Sequence, residues 1–203
     1  MDITTSRAIH ISGFERRDCD LYPTPAWVTG ALLRNVTFRS PIWEPCCGDG
    51  SIAKVLEQGG HKVVATDLHD HSYGTPNTDF FQCPALPPGC RALITNPPYG
   101  DGQAAKPGRR ASPSALLSFV KHVLHVIEPC QGQAALLVRL QWITGKRAAA
   151  LLQSGPLESV IMLTDRIQWF DHGEKTNRGQ LNHVWVVFDH LRAIGAPPKL
   201  IFA

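Results

Sequence analysis

The chain has 203 residues, 43% of them hydrophobic and 18% charged, with a formal net charge of +3. That composition excludes a disordered or collagen-like chain, and no apolar run approaches the roughly 20 residues of a membrane span. The first residues lack the apolar core of a signal peptide, so a cytoplasmic protein is expected, and the small positive charge permits a nucleic-acid partner without requiring one.

Residues 1–20 show weak periodicity and read as an irregular arm. Thr24-Pro25 then predicts a helix start, with Thr24 as N-cap and Pro25 at the first helical position before AWVTGALLRN. A short apolar strand over 41–43 leads through a glycine-rich turn into a helix over 51–58, a Gly59-Gly60 stop and a second strand over 62–66. Strand, turn, helix and strand in about 30 residues make one βαβ unit. The stretch 69–89 reads as loop and carries Asp79-Phe80-Phe81, and RALIT is a buried strand that ends in Asn96-Pro97-Pro98-Tyr99. Residues 100–112 have no apolar pattern. Ser112-Pro113 starts a helix that Glu128-Pro129 ends; AALLVRL, a helix over 146–153, and the strands SVIML and HVWVVF follow. Strands alternating with helices predict an α/β fold, a parallel sheet with helices on both faces, in one domain over 1–203.

The turn Glu44-Pro45-Cys46-Cys47-Gly48-Asp49-Gly50 lies where a strand hands over to a helix. Glycines there let the backbone turn tightly and approach a ligand, and the helix N-terminus supplies free N–H groups. Gly48, Gly50 and Ala53 satisfy the dinucleotide pattern G-x-G-x-x-A, and Asp67 stands at the end of the next strand, where an acid would hold ribose hydroxyls. NAD and S-adenosylmethionine fit this pattern about equally. Glu44 favours the second, because an acid before the turn would crowd a pyrophosphate but could meet a cationic amino acid.

Asn96-Pro97-Pro98-Tyr99 carries the strongest signal. Open α/β sheets bind ligands beyond the carboxyl ends of their strands, so these residues face the crevice of the glycine turn. Two prolines remove two backbone donors and leave a rigid, acceptor-rich corner. The Asn96 side-chain oxygen and a nearby backbone carbonyl can both accept from one planar NH2 group, and Tyr99 offers a flat face for a planar base or amide.

With EPCCGDG followed by NPPY, the sequence resembles the class I S-adenosylmethionine-dependent methyltransferases that act on amino nitrogens. It is most similar to the small phage and prophage DNA adenine-N6 methyltransferases, with the motif order of the gamma arrangement. Tyr22-Pro23-Thr24-Pro25 looks like the cofactor motif of the N-terminal arm, and Leu137 to Leu140, Arg147 and Arg166 to Trp169 resemble the later strands of that group. The resemblance implies a Rossmann-like sheet of seven strands, the last antiparallel, and S-adenosyl-L-methionine as cofactor. It places Tyr22, Thr24 and Pro25 over the cofactor and Glu44, Pro45, Cys46, Gly48 and Gly50 around its methionine part. Asp67 and Leu68 fall at the ribose, Asp79 and Phe80 at the adenine, and Asn96, Pro97, Pro98 and Tyr99 at the transfer corner. It implies DNA with a flipped adenine as substrate, in a bacterium or a phage-infected cell; RNA adenine, a protein glutamine or an inactive homologue are the alternatives. Cys46 and Cys47 depart from the small or aliphatic residues common at the turn and read as packing. Only about 15 residues follow HVWVVF, so no separate target-recognition domain is expected, and a monomer is favoured.

Lys106, Arg109 and Arg110, in the loop after Tyr99, and Lys175 and Arg178, in DHGEKTNRGQ, are candidate nucleic-acid contacts. The six cysteines include no C-x2-C pair, so no metal site is expected. His69-Asp70-His71 reads as a polar wall beside the cofactor, and His122 and His125 as surface or half-buried residues.

Overall fold

A computed structural model describes residues 21–98, 113–169, 181–193 and 196–203. Seven strands form one sheet: β1 (Ile42–Glu44), β2 (Val63–Ala65), β3 (Ala92–Thr95), β4 (Gln133–Arg139), β5 (Leu157–Met162), β6 (His183–Asp189) and β7 (Lys199–Phe202), in the order β2-β1-β3-β4-β6-β5-β7. The described helices are α1 (Ala26–Asn35), α2 (Ser51–Gln58), α3 (Pro113–Ile127), α4 (Leu140–Ile143) and α5 (Lys146–Ser154).

The expected mostly parallel α/β sheet is present, with a correction to its end. The antiparallel strand is β6, which lies between β4 and β5 and opposes both. The last strand is β7, an unforeseen edge strand that runs parallel to β5. Leu200 and Phe202 of β7 are 62% and 69% exposed, so this strand shows no buried apolar run of the kind that marks β4 and β6.

Side chains of successive strand residues point to opposite faces, which divides the core in two. Ala134, Leu136 and Val138 of β4 pack with Phe119, Val120, Val123 and Leu152 of α3 and α5. Ala135 and Leu137 pack on the other face with Val28, Leu32, Ile52 and Leu56 of α1 and α2. Truncating a fully buried leucine such as Leu136 or Leu137 to alanine would cost about 2–5 kcal/mol. Trp185 in β6 ties α1 to the sheet by donating its indole N–H to the Val28 carbonyl at 2.9 Å.

At the N-terminal end of β4, Gln133 and Arg39 close the base of the sheet. The Arg39 guanidinium donates to both carboxylate oxygens of Asp189, at 2.9 and 3.2 Å. Gln133 accepts from the Arg39 backbone N–H and donates to the Thr37 carbonyl and to Asp189. This polar clamp leaves the opposite edge of the sheet, at the carboxyl ends of the parallel strands, for the site.

Candidate active site

Glu44 ends β1 with 1% of its surface exposed, and its Oε2 is buried with no hydrogen-bond partner among the described residues. Burial raises its carboxyl well above the usual range, and the Asp49 and Asp67 charges add to the effect, while the Ala53 N–H in the open first turn of α2 opposes it. A buried carboxyl with one oxygen left without a partner is costly unless it stays protonated or meets a cation.

The turn that follows is built by glycine. Gly48 and Gly50 have φ of +52° and +79°, which side-chain-bearing residues rarely adopt. A Cβ at Gly48 would lie 2.7 Å from Leu21 Cδ1, and one at Gly50 would lie 2.5 Å from the Tyr73 ring. The glycines therefore admit the protein's own side chains from the arm and from the loop after β2, two residues the sequence reading did not single out. Pro45 is buried beside them. Asp49 Oδ1 accepts from the Ser51 N–H at 3.0 Å, one residue ahead of Gly50, the N-cap of α2.

Cys46 packs against the core, and burial pushes its thiol well up; burial likewise pushes Cys47 up to about 12. Neither is a ready thiolate, which agrees with a packing role.

Asp67 follows β2 and is 8% exposed. Its Oδ2 accepts from the Gly48 N–H at 2.9 Å and its Oδ1 from the His69 N–H at 2.9 Å. Each carboxylate oxygen keeps a second lone pair for a hydroxyl donor. His71 Nε2 lies 3.8 Å from Oδ1, which puts one histidine of the expected polar wall against this acid, and Leu68 beside it is 43% exposed.

Asp79 caps a single 3-10 turn over Phe80–Gln82, accepting from the Phe81 N–H at 2.9 Å. Phe80 is 4% exposed, packed on Trp43 and Phe119 with ring centroids 5.4 and 4.5 Å away, whereas Phe81 is 49% exposed. Phe80 thus belongs to the core under the turn, and Phe81 is the ring that this turn presents to the surroundings. His122 of α3 fixes the turn: its Nε2 lies 3.0 Å from both the Phe80 and the Cys83 carbonyls. Both partners are acceptors, so this nitrogen carries the proton.

Asn96 follows β3. Its Nδ2 donates to Thr24 Oγ1 at 3.3 Å, and its Oδ1 is buried with no partner among the described residues. Pro97 is buried and Pro98 half-buried. Thr24 is 4% exposed and does not cap α1: Pro25 occupies the N-cap position and makes no side-chain cap bond. The expected cap is thus corrected by one residue, because the Thr24 hydroxyl is committed to Asn96. Tyr22 meets Trp169 edge-on at 5.9 Å, and Trp169 meets His183 at 5.3 Å.

The structure therefore brings Tyr22, Thr24, Pro25, Glu44, the glycine turn, Asp67, Asp79 and Asn96 to elements that meet at one edge of the sheet. Tyr99, Lys106, Arg109, Arg110, Lys175 and Arg178 lie outside the described residues.

No family model and no curated protein matches the sequence. Solved structures do match in fold. The methyltransferase subunit of a type I restriction-modification system from Streptococcus thermophilus superposes with a TM-score of 0.57 at 15% identity, over 88% of this chain and 46% of that one. A Listeria monocytogenes protein assigned to the class I S-adenosylmethionine-dependent methyltransferases gives 0.54 at 15% identity, over 88% and 62%. TrmN from Thermus thermophilus gives 0.50 at 19% identity, over 81% and 48%. The chain thus spans about half to three-fifths of the length of these structures. Its fold is that of the class I S-adenosylmethionine-dependent methyltransferases.

Proposed function

We propose that this chain transfers a methyl group from S-adenosylmethionine to the exocyclic N6 amine of adenine in DNA. The observation that carries the reading is the Asn96 amide, whose Nδ2 is held by Thr24 while its buried Oδ1 has no partner among the described residues. A buried acceptor left open in this way awaits a donor, and a planar amine supplies one.

The residues present fit the cofactor. Glu44 Oε2, buried and without a partner among the described residues, is suited to the ammonium of the methionine part. Asp67 keeps lone pairs for two ribose hydroxyls, and Asp79, which accepts from the Phe81 N–H, is assigned to the adenine. Bound there, S-adenosylmethionine supplies a methyl group on a positively charged sulfur, open to in-line attack.

Asn96 Oδ1 takes one hydrogen of the substrate amine, and the Pro97 carbonyl takes the second. Two acceptors on these hydrogens favour a pyramidal nitrogen and so localise its lone pair toward the methyl group. As the N–C bond forms, the C–S bond would break, S-adenosylhomocysteine would leave and the amine would lose one proton to water. Most of the rate enhancement is positioning, which supplies roughly 7–11 kcal/mol when reacting atoms are aligned. An adenine stacked in a duplex cannot reach a corner bounded by Thr24 and two prolines, so duplex DNA delivers it flipped out, at a cost of a few kcal/mol.

The DNA assignment draws on the likeness to the NPPY enzymes and on the fold match to a restriction-modification subunit. Lys106, Arg109, Arg110, Lys175 and Arg178 are assigned to phosphate contact, which fixes register without reading sequence. Labelled S-adenosylmethionine offered with DNA, RNA and protein in parallel, followed by digestion, tests the reading. N6-methyladenine from DNA is the expected product; modified RNA adenine or protein glutamine, with DNA untouched, would overturn it.

A further inference from the structure

An open groove of about 840 Å³ runs beside the transfer corner, lined among the described residues by Pro25, Trp27, Thr164, Asp165, Arg166 and Gln168. Pro25 directly follows Thr24, the residue that holds Asn96, so the groove begins next to the place assigned to the target amine. Its other wall is the segment after β5, which opens on the site's edge of the sheet because β5 runs parallel to β7 and opposes β6, as β4 does.

The wall after β5 is tied to the rest of the fold. Leu163 and Ile167 are 5% and 0% exposed and anchor it in the core. Thr164 bonds twice to the Ala203 carbonyl, from its N–H at 2.8 Å and its hydroxyl at 2.9 Å. Arg166 Nε donates to Asn182 Oδ1 at 3.2 Å, which orients the guanidinium. Thr164, Asp165, Arg166 and Gln168 are all exposed between and beyond the anchors, and across from them Trp27 exposes 39% of its surface at the start of α1.

Among the described lining residues the charges of Asp165 and Arg166 cancel, which suits phosphates poorly. The groove's chemistry suits base edges: arginine pairs with guanine, glutamine with adenine, aspartate accepts from the cytosine amine, and threonine serves either role. Trp27 adds a face on which a base can stack. We infer that this groove reads the bases flanking the target adenine, with Asp165, Arg166 and Gln168 as the specificity-determining residues and Trp27 as a stacking platform. The inference rests on the proposed DNA adenine methylation. It places sequence readout on the methyltransferase domain itself, where the sequence suggested only basic loops.

The test uses the full chain, S-adenosylmethionine and a pool of DNA duplexes with one adenine between randomised flanks, sequenced for N6-methyladenine. The native protein is expected to prefer particular bases at one or two flanking positions by about 5- to 150-fold each, the range of a single base contact. The combined variant Asp165→Ala, Arg166→Ala, Gln168→Ala should lose that preference, its rate on favoured flanks falling to that on disfavoured ones, while cofactor affinity stays within a few-fold. Trp27→Ala should lower activity on every flank by about 5- to 150-fold, the range of one lost stacking contact, with the preference unchanged. An unchanged preference in the triple variant, or a native enzyme indifferent to its flanks, would overturn the inference while leaving adenine methylation standing. A uniform fall in the triple variant with a weaker salt dependence would overturn it in favour of phosphate contact. A native protein that binds S-adenosylmethionine yet modifies no DNA adenine would sink the function as well.

Discussion

Asn96 Nδ2 lies 3.3 Å from Thr24 Oγ1, across 72 positions of sequence. With the amino end of the side chain bound to the arm, the oxygen end is turned away from Thr24 and remains an acceptor. The pair joins the segment before α1 to the corner after β3, so that segment orients the amide proposed to hold the substrate amine.

Thr24→Val keeps the shape of this contact and removes the acceptor. Loss of a buried hydrogen bond costs about 1–3 kcal/mol, and a free amide can turn its NH2 toward the substrate. The turnover rate should fall by about 5- to 150-fold while cofactor affinity, measured by calorimetry, changes by less than a few-fold. An unchanged rate would show that Thr24 does not orient Asn96.

Glu44 gives a pH dependence with a definite sign. Burial raises its carboxyl in the folded protein, so its proton stays on to a higher pH than in the unfolded chain. Its contribution to stability is fully present below the unfolded value and is lost as pH rises through the folded value. An ammonium brought to Oε2 favours the ionised form, so cofactor binding should expel a proton and tighten as pH rises. Calorimetry in two buffers of different ionisation heat should show proton release for the native protein, and Glu44→Gln should abolish it with weaker binding. Equal release from the variant would place the ammonium elsewhere.

His183 carries the opposite signature. Burial first, and the nearby Arg139 charge second, lower its pKa from 6.5 to about 4. Below pH 6.5 the unfolded chain takes up a proton that the folded chain refuses, so stability is intact above 6.5 and declines as pH falls toward 4. The gap corresponds to about 3 kcal/mol at 1.36 kcal/mol per pH unit. Urea unfolding of His183→Asn across this window should show a shallower decline than the native protein. Parallel declines would mean that His183 titrates freely.

Much of this architecture is legible in the sequence because the physics is local. The buried runs of β4 and β6 announce strands covered on both faces, and Asn96-Pro97-Pro98 marks a strand end whatever packs around it. Other features depend on partners that are distant in sequence. Thr24-Pro25 is a helix-start signal, yet the hydroxyl is claimed by Asn96 and the cap passes to Pro25. Two consecutive phenylalanines do not reveal which one is buried; Phe80 is, because the turn capped by Asp79 points it at Trp43 and Phe119. His122 looks like a half-buried histidine and is one, but its bonds to the Phe80 and Cys83 carbonyls span 42 and 39 positions, beyond the reach of any pattern. β7 escapes notice because it is short, largely exposed and paired on one side among the described strands.

The central claim is that Asn96 holds the amine that receives the methyl group, and the most direct measurement compares Asn96→Ala with the native protein for N6-methyladenine formed in DNA and, separately, for cofactor affinity. Asn96 addresses the amine and not the sulfonium, so the variant is expected to form no detectable N6-methyladenine while binding S-adenosylmethionine within a few-fold of the native protein. Retained methylation, or a loss of cofactor binding as large as the loss of activity, would contradict the account.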